Sequence, residues 1–103
     1  MSKTSFVVCA GLALVLSATA HAKEPTIATG KMMGDTCASC HGTLGKSMDE
    51  YMPSLAGIDR QQLIRAMTDY RADRRVSVVM NRIAKGYTDA EIAAIADYFS
   101  KIK

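Results

Sequence analysis

The sequence predicts an all-α domain. Leu63, Ile64, Met67 and Tyr70 fall at i, i+1, i+4 and i+7, the period of one helical face. Ile92, Ile95, Ala96 and Phe99 repeat that period near the end of the chain. They follow Thr88-Asp89-Ala90-Glu91, a start signal in which the Thr hydroxyl and the Glu carboxylate each satisfy an otherwise free N–H. Only Val76 to Lys85 offers a short strand instead, and irregular structure with one turn of helix near Asn81–Lys85 suits it better.

In chain order, residues 1–22 read as a secretory signal peptide. Lys3 is the positive lead, Phe6 to Leu16 the apolar segment, and Ala20-His21-Ala22 a small-x-small cleavage site. The apolar run is shorter than the roughly 20 residues a spanning helix needs, so cleavage outweighs an anchor and no membrane insertion is expected after it. Cys9 lies too early for a lipoprotein anchor. The remaining domain, 23–103, has 81 residues. Chains this small often need a metal, disulfides or a cofactor to complete a core. With no Trp and a single Phe, Phe99, this one has little aromatic bulk of its own.

Lys23 to Pro25 is a polar lead. Thr26 suits an N-cap for a helix reaching about Thr36, with Ile27, Met32 and Met33 as its apolar positions. Gly30 and Gly34 each cost that helix on the order of 1 kcal/mol against Ala. Close approach of a second helix is the expected compensation.

Cys37-Ala38-Ser39-Cys40-His41 comes next. This is C-x-x-C-H, the signature of covalent c-type haem attachment. Two thiols at this spacing reach both vinyl groups on one porphyrin edge, and the next side chain turns a nitrogen under the ring toward iron. A bare disulfide, a redox C-x-x-C and a zinc site are weaker alternatives. The redox motif expects a βαβ context that is missing here, and zinc wants about four ligands where Cys37, Cys40 and His41 offer three. The expected architecture is therefore three to four helices around one covalently bound haem c.

Gly42 to Asp49 is rich in turn residues, and Pro53 stiffens Tyr51–Gly57. Asp59 caps a helix running to Arg71 or Ala72, with Arg60, Gln61, Arg65, Asp69 and Arg71 on its wet side. Asp73-Arg74-Arg75 is a charged stop. Arg74 and Arg75 read first as a solvated helix end and second as contacts to haem carboxylates or a partner. Tyr51 and Tyr87 are further carboxylate donors, with half-buried packing equally fitting. Gly86 closes the turn near Lys85, and the last helix runs from the Thr88 cap to about Lys101.

His41 is the only His after Ala22, so a second His from this chain cannot ligate the iron. Met80 is the best sixth ligand: it sits 39 residues beyond His41, between two helices, where the chain can cross to the other face. Met52, a Lys or an open site remain alternatives, and Met67 reads as core packing. His41/Met80 ligation fills both axial positions and suits single-electron transfer. A haem enzyme or gas sensor with an open sixth site is the rival. Without Lys3 the formal charge falls from +3 to +2, and no basic run interleaved with aromatics points to nucleic acid.

The order of CASCH, MPSLAG and Met80 before a last helix resembles the monohaem class I cytochromes c. The resemblance implies the cytochrome c fold, an electron-carrying role, and a hydrogen bond from the His41 imidazole to the carbonyl of Pro53, of the kind that orients a ligand. It also implies that the first and last helices cross, with Gly30 or Met33 against Ile95 and Phe99. A narrower similarity lies in Val79 to Ile92 (VMNRIAKGYTDAEI), which resembles the block around the axial Met in cytochrome subunits of sulfide dehydrogenases, the flavocytochromes c. That implies a periplasmic electron-transfer subunit, in a heterodimer with a sulfide-oxidising flavoprotein. A free shuttle serving another redox protein is the alternative. Arg82, two residues after Met80, is a candidate for a docking face.

Overall fold

The computed structural model describes residues 28–103. The signal segment, Thr26 and Ile27 lie outside the described residues. Four α-helices and one short 3-10 turn make up the described chain: α1 Gly30–His41, the turn Thr43–Gly45, α2 Arg60–Arg71, α3 Met80–Ala84 and α4 Asp89–Ser100. No helix among them is long and apolar enough to cross a membrane.

α1 starts later and ends later than its sequence suggests. Thr29 is the N-cap, and its hydroxyl accepts from Met32 N at 3.2 Å. The helix then continues through the whole C-x-x-C-H motif. It stops because Gly42 adopts φ 84° and ψ 161°, a region open essentially to glycine alone. His41 is thereby the last helical residue. Residues three apart share a helix face, so Cys37 and Cys40 stand one turn apart on the same side.

α2 begins where Asp59 caps it, its carboxylate accepting from Gln62 N at 2.8 Å. Leu63 and Met67 are buried, with Ile64 and Tyr70 packed beside them. α4 carries the reciprocal cap of Thr88 and Glu91. Ile92, Ile95, Ala96 and Phe99 are all but fully buried, and Phe99 has no exposed surface. Burying the Ile and Phe side chains contributes roughly 1.5–3 kcal/mol each, so α4 is the central post. α1 and α2 both pack on it, and α3 packs on α2.

The glycines of α1 explain how the first and last helices come so close. A Cβ on Gly30 would stand 2.1 Å from the carbonyl oxygen of Ala94. One on Gly34 would meet the rings of Tyr98 at 2.6 Å and Phe99 at 3.3 Å. The crossing therefore uses Gly30 against Ala94 and Tyr98, and Gly34 against Phe99. The expectation was Gly30 or Met33 against Ile95 and Phe99: Gly30 instead meets Ala94 and Tyr98, while Met33 shares the buried core with Ile95 and Phe99. Arg71 also departs from expectation: it is half-buried, not on the wet side. Its guanidinium donates to the Tyr87 carbonyl at 3.0 Å and pairs with Asp89, tying α2 to the start of α4.

Candidate haem-binding site

A cleft of about 730 Å³ opens between α1, the 51–58 loop, α2 and the 75–80 segment. That volume is typical of a cofactor pocket. Leu55, Ile58, Leu63, Met67, Val79 and Ile95 give it an apolar lining. Cys37, Cys40 and His41 stand along one side, from the last turn of α1. Met80 also lines it, as the first residue of α3 and not within a loop.

His41 is buried, and its Nδ1 lies 2.7 Å from the carbonyl oxygen of Pro53. A carbonyl only accepts, so Nδ1 carries the proton and donates. Nε2 is then the nitrogen with a free lone pair, as a metal-binding imidazole requires. The Pro53 carbonyl is itself held in place. Ser47 N donates to Ser54 Oγ at 2.9 Å, and Leu55 N and Ala56 N donate to the Gly45 carbonyl at 2.7 and 3.1 Å. The loop bearing Pro53 is thus pinned on the turn that follows the motif.

The two thiols are not bonded to each other. Cys37 is half-buried, and burial pushes its thiol above the usual value, while Cys40 is exposed. Among the described residues no three His, Cys, Asp or Glu side chains are grouped to hold a metal ion.

The charges at the cleft are unequal. Arg75 is the only charged side chain in its lining among the described residues, and its guanidinium lies 5.0 Å over the Tyr70 ring. Arg74 is committed elsewhere, donating to Asp69 through both Nε and a terminal nitrogen at 3.0 and 2.8 Å. Of the two tyrosines, Tyr51 is exposed at the cleft, while Tyr87 shares a 3.2 Å hydrogen bond with Thr36 Oγ1. Met48 is fully exposed and lies outside the cleft, whereas Met52 and Met67 line it with Met80.

Residues 27–103 match the family model for cytochrome c. The chain belongs to the cytochrome c family.

Three relatives illustrate the range within it. The cytochrome is 40% identical to the cytochrome subunit of sulfide dehydrogenase from Chlorobaculum tepidum, over 78% of this chain and 72% of that protein. It is 33% identical to cytochrome c4 of Pseudomonas aeruginosa, over 89% of this chain and 45% of the relative. It is 32% identical to a thiosulfate dehydrogenase electron acceptor from Stutzerimonas stutzeri, over 64% of this chain and 32% of the relative. The chain thus spans less than half the length of the last two. Covalent haem c is the family's prosthetic group, and this cleft fits it: apolar walls for a flat ring, paired thiols at the motif's spacing, and an imidazole with its outer nitrogen free. The protein is a class I c-type electron carrier.

Asn81 was not singled out by the sequence. Its amide donates to the carbonyls of Tyr70 and Arg75 and accepts from Ser77 N. Those partners lie up to eleven residues away, and an isolated Asn in a short helical stretch carries no signal for them.

Proposed function

We propose that this cytochrome is the periplasmic haem subunit of a sulfide-oxidising flavoprotein complex. The observation that carries the proposal is its 40% identity, over most of both chains, to a protein described as the cytochrome subunit of sulfide dehydrogenase. The Val79–Ile92 block around Met80 supports the same assignment. Export follows from the apolar segment before Ala22, with removal of residues 1–22 leaving Lys23 as the N-terminus.

Haem c supplies a one-electron couple at its iron. The chain's own groups have distinct tasks. Cys37 and Cys40 would hold the haem covalently through two thioethers and so prevent its loss. His41 offers Nε2, with its ring held by Pro53. Met80 offers a thioether, which raises the potential relative to a second imidazole. Arg75, the one charged side chain of the cleft lining among the described residues, is suited to a carboxylate of the ring.

Purification of the native protein from a periplasmic extract tests the assignment. A stoichiometric flavoprotein partner, and haem reduction when sulfide is added to that complex but not to the cytochrome alone, are the expected results. A cytochrome that emerges alone and accepts electrons from a thiosulfate-oxidising enzyme instead would make it a free carrier. The Stutzerimonas stutzeri relative, described as a thiosulfate dehydrogenase electron acceptor, favours that second role.

A further inference from the structure

α3 has only five residues. A helix this short has no stability of its own in water. Val79, at its N-cap position, provides no capping oxygen. Met80, its first residue, must therefore be held by something else.

Two side chains do this. Ser77 Oγ accepts from Met80 N at 3.2 Å and from Val79 N at 3.3 Å, replacing the missing cap. Asn81 Oδ1 accepts from Ser77 N at 2.7 Å. The Asn81 amide nitrogen lies 3.0 Å from the Tyr70 carbonyl, 2.7 Å from the Arg75 carbonyl and 3.2 Å from Asp73 Oδ1. The segment from the end of α2 to Ser77 is thus wound around one amide, and Ser77 passes the restraint to Met80. Asp73 sits in this winding at φ 56°, a left-handed conformation uncommon for a residue with a side chain. Asn is a poor helix former because its amide competes for backbone groups. Here that competition joins α2, the loop and α3.

We propose that Asn81 and Ser77 are positioning residues that clamp Met80 to the cleft and so set how readily an outside ligand takes the sixth position. This rests on Met80 as the axial ligand. The clamp does not touch the iron. It acts by making displacement of Met80 cost the hydrogen bonds that converge on Asn81.

The test uses the ferric holoprotein titrated with imidazole, an outside ligand that competes with the thioether. The readouts are imidazole affinity and the thioether–iron charge-transfer absorption. Asn81→Ala is expected to bind imidazole at least about tenfold more tightly, the ratio corresponding to one or two lost hydrogen bonds. Ser77→Ala is expected to do so by a few-fold, and Ser77→Thr, which keeps the hydroxyl, to restore the wild-type affinity. Arg74→Gln breaks an exposed ion pair in the same segment, and wild-type affinity is expected there.

If Asn81→Ala and Ser77→Ala keep both the absorption and the wild-type imidazole affinity, the clamp is refuted while Met80 stands as ligand. If the wild type lacks the absorption and Met80→Ala leaves its spectrum unchanged, the ligand assignment fails and takes the clamp with it. Should Asn81→Ala not fold, the Ser77 pair decides the matter alone. An equal rise in affinity in Arg74→Gln would also overturn the proposal, because the effect would then belong to general loosening of the segment.

Discussion

His41 shows how much one hydrogen bond decides. Donation to the Pro53 carbonyl settles the tautomer and leaves Nε2 for a metal. Opposite in character is Met80, whose fitness depends on a segment folded from distant residues. Met80→Ala is expected to abolish the thioether–iron absorption and lower the reduction potential; an unchanged ferric spectrum and potential would show that another group holds the sixth position. Arg75 acts through charge. A cation near the ring disfavours the more positive ferric state, so Arg75→Gln is expected to lower the potential by up to about 60 mV, the shift of a tenfold change in a one-electron equilibrium. Arg74→Gln, whose charge is neutralised by Asp69, is the control, and equal shifts in both would remove any special role for Arg75. Asp73 carries a pH signature. A hydrogen bond from Lys85, ahead of the opposing effect of burial, holds its carboxyl below the ordinary value. A depressed carboxylate stabilises the fold above its unfolded pKa and loses that contribution as pH falls through the folded pKa. The stability difference between wild type and Asp73→Asn is therefore expected to be constant at neutral pH and to vanish in acid below the carboxylate range, as read by thermal unfolding across pH.

At the scale of elements, the crossing of α1 on α4 is the most demanding contact. Gly30 faces the Ala94 carbonyl so closely that a methyl group has no room, and the obstacle is backbone. Gly30→Ala removes a helix-weakening glycine, which alone would gain on the order of 1 kcal/mol. Overpacking of this kind costs typically 1–3 kcal/mol, and with a backbone atom in the way the upper end is expected. The net result is a lower midpoint in denaturant unfolding of the holoprotein, and a raised midpoint would contradict the crossing. The capped helices were legible because their signals are local. Asp59 and Thr88 lie within three residues of the N–H groups they satisfy, and the apolar period of α4 selects its buried face directly. The start of α1 was not: the sequence pointed to a cap at Thr26 where Thr29 caps the helix, and glycines within the helix blur its apolar period. Its end was also hidden, since only the backbone angles of Gly42 show that the helix runs through His41.

For the whole molecule, the cofactor is part of the core. The cleft is walled by Leu63, Met67 and Ile95, which belong to the same cluster as Phe99. A chain of this size without haem leaves that apolar wall open to water. Protein made without haem attachment is expected to be largely unfolded, with little helical circular dichroism, while the holoprotein unfolds cooperatively. A well-folded haem-free chain would show that the four helices suffice. Intact mass after acid denaturation should retain one haem per chain.

By itself the sequence determined the helical class, the two capped helices, the haem motif and the order of groups along the chain. Each of these depends on residues within about one helical turn of one another, or on covalent spacing. Only the tertiary structure decided the register of Gly30 and Gly34 on α4, the bridging role of Arg71, the place of Arg75 in the cleft and the winding of residues 70–77 about Asn81. Those contacts join residues far apart in the chain, or turn on a few ångströms of clearance, and neither periodicity nor capping carries such information.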